Sequence, residues 1–266
     1  MVRSLWTGAS GMITQQANTD VIANNLANVN THGFKRQRAE FQDLLYQTLR
    51  VAGTPATEDT IVPVGIQMGH GARLSATQRV FSQGSLQQTD VPTDMAIAGE
   101  GFFRVQMFDG SWAYTRNGAF KIDSDGRMVT SQGYWLLPDI VMPELFLQDS
   151  VTVTQDGRVS VRVPRDGEIA EIDVGRIELY RFPNPVGLSA VGENLFRVSA
   201  ASGDPIPGRP GFEGMGTIQH RFLEMSNVQI VQEMVNLIVA QRAYEFNSRT
   251  IQTTDSMLGT ATTLKR

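Results

Sequence analysis

The chain has 266 residues, 41% hydrophobic and 19% charged, with 25 glycines, no cysteine and a formal net charge of −4. That balance suits one large soluble domain or two to three smaller ones and argues against nucleic acid as a partner. The missing cysteine excludes disulfides, thiolate nucleophiles and cysteine zinc sites. His32, His70 and His220 are scattered without companion ligands at metal spacing. No apolar run approaches the ~18 residues of a membrane span, and no cleavable signal peptide is visible. The sequence therefore reads as cytosolic unless a specialised route exports it.

The first predicted element is a helix from residue 4 to about 28, with Ser4 as N-cap. Val2, Leu5, Ala9 and Met12 recur at alternating three- and four-residue steps; Gln16 and Thr19 interrupt the stripe, and Ala23 and Leu26 resume it. Trp6, Ile13, Ala17 and Val21 form a second apolar flank. Two flanks call for more than one neighbouring helix. Asn24, Asn25, Asn28 and Asn30 then crowd the helix end. Asparagine tolerates left-handed geometry, so termination is expected between Asn28 and Gly33. The amides are either a simple stop or hydrogen-bond partners for neighbouring backbones.

Residues 34–50 mix charged and apolar positions, and residues 51–65 are a polar, proline-bearing excursion or loop. From about 66 to 222 the pattern is β, punctuated by Asp109-Gly110, Asp125-Gly126, Asp156-Gly157 and Asp166-Gly167. Val151 and Val153, then Val159, Val161 and Val163, alternate around Asp156-Gly157, which predicts a hairpin. Phe120 to Val129, turning at Ser124-Asp125-Gly126, predicts another. Pro183, Pro185, Pro205, Pro207 and Pro210 oppose any long helix there.

The last helix is expected to begin at Ser226, where Gln229 completes a capping-box spacing, and to stop before Gly259. Its seam runs through Ile230, Met234, Leu237, Gln241, Tyr244, Ser248, Ile251, Asp255 and Leu258, the spacing of a coiled coil. Val228, Val231, Val235, Ile238 and Phe246 form a second flank, and Glu245 and Arg249 are placed for an ion pair worth ~0.3 kcal/mol. At 1.5 Å per residue this is a rod of ~50 Å. Ordering each residue costs ~1–2 kcal/mol of backbone entropy. A lone helix in water keeps little of the apolar gain that would offset this, so its stability must come from partners.

Catalytic patterns are weak. Gly99-Glu100-Gly101-Phe102-Phe103 lacks the third glycine of a dinucleotide fingerprint and reads as a tight turn before a buried strand. Asp123-Ser124-Asp125-Gly126 lacks the later ligands of a calcium loop. No G-x-S-x-G elbow occurs. Glu144, Glu168 and Glu171 are carboxylates that the sequence cannot place together. No enzyme activity, metal or cofactor is expected.

Asp20-Val21-Ile22-Ala23-Asn24-Asn25-Leu26-Ala27-Asn28-Val29-Asn30-Thr31 with Gly33-Phe34-Lys35 resembles the N-terminal signature of the bacterial flagellar rod and hook family. Gln83–Thr89, Ala96–Phe103 and Tyr114–Gly118 resemble its central β region, and Ser226–Val235 with Gln241–Glu245 its C-terminal helix. Phe41–Thr48 and the stretch after it look like a segment peculiar to one rod member, and hook proteins usually carry a further large outer domain. The implied fold is a mainly β, antiparallel and hairpin-rich centre with paired N- and C-terminal helices in a discontinuous, coiled-coil-like domain. The implied division is an axial core of residues 1–32 and 226–266, an intermediate domain of 33–75 with an extended arm at 46–65, and a β-rich outer domain of 76–225.

The resemblance implies a non-enzymatic homopolymer: a rigid helical tube that carries motor torque across the periplasm. Proximal rod proteins and hook protein would adjoin it, basal-body ring proteins would surround it, and the flagellar export apparatus would secrete it. The candidate assembly residues are Leu5, Met12, Ile13, Val21, Ile22, Asn24, Asn25, Leu26 and Asn28, with Val228, Ile230, Val231, Met234, Val235, Leu237, Ile238, Gln241, Tyr244, Ile251 and Leu258. The candidate stiffening arm is Tyr46, Gln47, Thr48, Leu49, Pro55 and Pro63. Gly8 and Gly11 each weaken the first helix by ~1 kcal/mol, which predicts fraying of its first turns before assembly. Two other readings stand beside this one. The chain is a hook or proximal rod protein of the same family, or a soluble wall-binding β module using exposed aromatics such as Trp112 and Trp135.

Overall fold

The computed structural model describes residues 2–53, 55–57, 60–61, 63–143, 146–165 and 168–263. The chain forms two compact units: Met1–Ala27, Gln37–Gln78 and Gln229–Arg266 make one, and Asn28–Arg36 with Arg79–Val228 make the other. The first unit is built on α1 (Val2–Ala27) and α2 (Ile230–Thr263). They pack antiparallel: Ser4 Oγ lies 3.4 Å from Thr254 Oγ1, and Asn25 Nδ2 donates to Glu233 Oε2 over 3.3 Å.

The seam between these helices is small and polar. Gly8, Thr14, Ile22 and Asn25 are buried on α1, and Glu233, Ala240 and Thr254 on α2. A Cβ on Gly8 would sit 3.0 Å from Ile251 Cγ1, and one on Gly11 2.7 Å from Asn247 Nδ2. The glycines expected to loosen α1 instead allow the helices to approach closely. The expected stripe on α2 enters the seam only in part: Leu237, Ser248, Ile251 and Leu258 are half-buried, with Ile251 against Gly8, whereas Ile230, Met234, Gln241 and Tyr244 are exposed.

The helix ends differ from expectation as well. α1 starts at Val2, so Ser4 lies inside its first turn. α2 starts at Ile230 because the preceding residues are held extended in the second unit. There Asn227 Oδ1 accepts from Arg36 N over 2.7 Å, Asn227 Nδ2 donates to Val80 O over 2.8 Å, and Val228 is buried. Ser226 Oγ accepts from Val228 N over 3.3 Å rather than capping the helix. Gly259 lies within α2, which runs on to Thr263. Glu245 pairs with Arg242 at 2.9 Å, not with Arg249.

The rest of the first unit is a ribbon of nested strand pairs. β1 (Gln37–Asp43) pairs with β6 (Ala72–Arg79), β2 (Gln47–Arg50) with β5 (Ile66–Met68), and β3 (Pro55–Thr57) with β4 (Thr60–Ile61). The segment that was either excursion or loop is thus an extended ribbon. Asn25 fastens it to α1: its amide donates to Gln37 O and accepts from Gln37 N, both over 2.8 Å. Both of these Asn25 bonds are made within the chain. Gly71, at φ +108, passes so close to Ser10 Oγ that no Cβ fits.

In the second unit, β7 (Leu86–Gln88), β8 (Met95–Ala98), β9 (Phe103–Gln106), β10 (Trp112–Thr115), β11 (Lys121–Ile122), β12 (Met128–Val129), β13 (Trp135–Leu137), β14 (Thr152–Val153), β15 (Arg158–Arg165) and β16 (Glu168–Arg176) follow in order. Then come β17 (Leu179–Arg181), β18 (Ser189–Gly192), β19 (Leu195–Arg197), β20 (Ile206–Gly208), β21 (Thr217–His220) and β22 (Phe222–Glu224). A seven-stranded sheet has the order β11-β12-β13-β9-β10-β19-β18, and β14-β15-β16 form a three-stranded one. β17–β20, β8–β21 and β7–β22 are separate antiparallel pairs. The turns at Asp125-Gly126 and Asp156-Gly157 join the two expected hairpins, and Asp109-Gly110 joins a further one between β9 and β10, with each glycine at positive φ. Asp166-Gly167 lies outside the described residues.

Alternation in β9, β10 and β13 sends Phe103, Val105, Ala113 and Leu136 into the main core with Met95, Ile97 and Phe120. A second core of Phe102, Tyr114, Tyr180, Phe182, Leu188 and Phe196 holds its rings edge to face, with Tyr114 and Phe182 centroids 4.9 Å apart. Gly99 and Gly101 have φ of +114° and +138°, and Phe102 and Phe103 are buried, as the tight-turn reading expects.

The helix seam is directly testable. Gly11→Val forces a branched side chain against Asn247 and is expected to cost ~1–3 kcal/mol, lowering the midpoint of helix loss in far-ultraviolet circular dichroism. Gly259→Ala meets no neighbour within 4 Å and is expected to raise that midpoint, since alanine gains ~1 kcal/mol over glycine inside a helix.

Candidate assembly interface

With small and polar residues at the closest points of the seam, many of the large apolar side chains of both helices stay exposed. On α1, Trp6 is 72% exposed, and Val2 and Ile13 are similarly bare. On α2, Val231 is 76% exposed, and Ile230, Met234, Val235, Ile238, Val239, Tyr244, Phe246 and Met257 are also exposed. The ribbon adds Leu45, Tyr46, Leu49, Val51, Val64, Ile66 and Met68. So many exposed large apolar side chains on one unit point to an interaction surface rather than a finished monomer surface. Fully burying each such side chain is worth ~1.5–3 kcal/mol.

The candidate residues fall into three groups. Ile13, Asn24, Ile230, Val231, Met234, Val235, Ile238, Gln241 and Tyr244 are exposed, as are Tyr46, Gln47, Thr48, Leu49 and Pro63 in the ribbon. Leu5, Met12, Val21, Leu26, Asn28, Leu237, Ile251 and Leu258 are half-buried. Ile22, Asn25 and Val228 are buried within their own chain and offer nothing to a neighbour. Val228 and Asn28 also lie outside the helices. Pro55 begins β3, but its side chain is outside what is described, as are Glu144 and the Glu168 side chain. The polar interruptions of the two stripes meet: Gln16, Thr19 and Asp20 of α1 line a shallow cleft with Gln241, Tyr244 and Glu245 of α2. Val239 and Met257 continue the second flank of α2 by helical spacing and were missed there, and Val64 lies in the ribbon, outside any stripe.

The second unit contains a group that the sequence did not announce. Glu224, fully buried, accepts from Lys35 Nζ at 2.6 Å, Arg116 Nε at 2.9 Å and Gly84 N at 2.9 Å. Lys35 also donates to Ser82 O over 2.8 Å, and Arg116 Nη1 donates to Gly99 O and Gly101 O over 2.8 and 2.7 Å. Burial favours the neutral form of Glu224, but Arg116, Lys35 and the hydrogen bonds outweigh it and hold its pKa below the ordinary carboxylate value. Burial lowers the Lys35 pKa, with Glu224 opposing and Arg116 adding. Four segments that carry the family resemblance converge here, at Lys35, Gly84, Gly99–Gly101 and Arg116. The sequence carried no clear signal for it, since Lys35 adjoins Arg36 and the Phe222-Leu223-Glu224 run follows Arg221.

Among the described residues no cluster of metal-ligating side chains occurs, and no helix is long and apolar enough to cross a membrane. Residues 5–35 match the model of flagella basal body rod proteins, residues 96–161 the D1 domain of flagellar hook protein FlgE/F/G, and residues 219–264 the C-terminal region of flagellar basal body rod FlgEFG proteins. The chain is 58% identical to the flagellar basal-body rod protein FlgG of Borreliella burgdorferi, over all of both chains. It is 46% identical to that of Buchnera aphidicola subsp. Schizaphis graminum, over 97% of this chain and 98% of that protein. The flagellar hook protein FlgE of Helicobacter mustelae matches at 43% identity over 56% of this chain but 34% of its own length. The chain belongs to the flagellar rod and hook family, whose members are structural proteins. It is a structural subunit of the flagellar distal rod, matching rod proteins end to end and the hook protein only in part.

Glu224→Gln removes the countercharge of two buried cations. Breaking such a buried pair costs ~3–5 kcal/mol, so the variant is expected to unfold at a lower urea midpoint by near-ultraviolet circular dichroism. Because the Glu224 pKa is depressed on folding, its stabilisation is complete above the ordinary carboxylate range and is lost as pH falls through the folded value. An acid titration of the wild type is expected to show that loss and the Glu224→Gln chain to lack it.

Proposed function

We propose that copies of this chain stack helically, with the terminal helices lining an inner tube and neighbouring copies covering their outward apolar stripes. The observation that carries this reading is the exposure of Trp6, Ile13, Val231, Met234, Val235 and Ile238 on helices that pack on each other through small and polar residues. The unit holding both termini is the axial core, with the ribbon as an intermediate part whose residues 46–65 wedge between subunits and stiffen the tube. The β-rich unit forms the outer layer. Contacts of this kind are heterologous and do not close, which gives an open filament. Many modest interfaces repeated along a lattice yield a torsionally stiff shaft that passes motor torque to the hook.

The partners of such a shaft are proximal rod proteins at one end, hook protein at the other and ring proteins around it. Export through the flagellar apparatus to the periplasm needs no cleavable signal. Coiled-coil pairing enters this reading as contact between copies, through the stripes that the intrachain seam leaves bare.

Light scattering of purified full-length chain tests the polymer directly. Val231→Asp with Met234→Asp places two charges on the outward stripe and is expected to abolish concentration-dependent growth while helix content stays unchanged. Growth at the wild-type rate would remove the assembly role of that face. Deleting residues 46–65 is expected to leave filaments that bend more in electron micrographs; unchanged stiffness removes the wedge.

A further inference from the structure

The seven-stranded sheet of the second unit has one face on the main core and another that is covered only in part. Tyr114 on that outer face is buried beneath Tyr180 and Phe182. Beyond it Trp112, Trp135 and Lys121 are exposed and Gln106 is half-buried, while Val129 is buried. Trp112 pairs with Gln106, and Gln106 pairs on its other side with Trp135. Directly opposed residues of antiparallel strands share a face, so the two indoles flank Gln106 in one row. Two strand spacings put their Cα atoms about 10 Å apart. Val129 and then Lys121 continue the row beyond Trp135.

Both indoles are held from one side by a guanidinium. Arg104 stacks 4.9 Å from the Trp112 ring and 4.5 Å from Tyr180, and Arg127 lies 5.0 Å from Trp135 with Asp139 as its ion-pair partner at 3.7 Å. Trp112 nevertheless remains 55% exposed and Trp135 41%, so much of each indole is open to a ligand. Neither ring contributes to the main or the second core. Indoles oriented by cation–π contacts, partly exposed and interleaved with an amide, form a rigid platform of low ordering cost.

We propose that this row binds a linear β-1,4-linked polysaccharide, with Trp135 and Trp112 stacking on sugar rings two units apart and Gln106 hydrogen-bonding to the ring between. The backbone spacing of the two tryptophans across the row is close to the disaccharide repeat of such an extended chain, which presents the same apolar ring face at every second unit. A flat ribbon of sugar suits an open sheet face, whereas an α-1,4-linked chain coils away from it. Lys121 at the end of the row adds a cation for a carboxylate or hydroxyl beyond Trp135. The site is independent of the helix stripes, which lie in the other unit.

Isothermal titration of the full-length chain with chitohexaose tests this, with maltohexaose as the α-linked comparison. Saturable binding of chitohexaose is expected, with Trp112→Ala and Trp135→Ala each weakening it about tenfold and Trp112→Phe retaining most of it. Absence of binding, equal binding of maltohexaose, or alanine variants that bind as the wild type overturn the proposal. Sedimentation of the same alanine variants covers the competing occupant. Altered self-association without any glycan binding assigns the face to a second copy of the chain and likewise overturns it.

Discussion

Two long helices can approach closely only where side chains are small, and this chain places its small residues between its own termini. Gly8 and Gly11 meet Ile251 and Asn247, Ser4 meets Thr254, and Asn25 meets Glu233. A pair closed this way buries Ile22 and half-buries Leu5, Met12, Val21, Leu26, Leu237, Ile251 and Leu258. Many bulky side chains stay exposed, however, and part of the hydrophobic term that could stabilise each helix is left for other surfaces to supply. The exposed Trp6, Val231 and Val239 follow from that choice of seam. The architecture of the first unit is thus both a folded pair and an unfinished one.

The second unit is stabilised differently. Its strands bury Phe103, Val105, Ala113 and Leu136 on one face of the main sheet, so it has a core of its own. The ion cluster at Glu224 adds fixed geometry to that core. Every oxygen of the carboxylate has a donor, and both cations are bonded further to backbone carbonyls. Fully satisfied buried charges tolerate little rearrangement, because moving any member leaves another desolvated and unpaired. The cluster draws residues 35, 84, 99–101, 116 and 224 to one point, which fixes how the flanking segments of this unit run. The rod family's recognisable motifs in this region thus serve a structural junction.

Local chemistry announced much of the β region. Asp-Gly at 109–110, 125–126 and 156–157 requires positive φ at glycine, and the alternation of Val151 to Val163 specifies which residues face inward. Those signals depend on neighbours in sequence and are visible there. The helix boundaries were less legible. Ser226 with Gln229 has capping-box spacing, yet Asn227 bonds to residues 36 and 80, and those distant partners keep the segment extended. Gly259 has the position of a helix stop but no steric or hydrogen-bonding reason to leave the helix.

The sequence alone determined that both ends are helical, that the centre is hairpin-rich β, and that the apolar stripes exceed what one partner helix can cover. Periodicity and turn chemistry are local, so a linear reading captures them. Which stripe turns inward was decided only in three dimensions. Packing favours the face that permits the shortest interhelical distance over the most apolar one, and that distance depends on two segments more than two hundred residues apart (Ser4 and Thr254, for instance). The Glu224 cluster and the Trp135–Gln106–Trp112 row are likewise products of strand register, which no single segment of the chain contains.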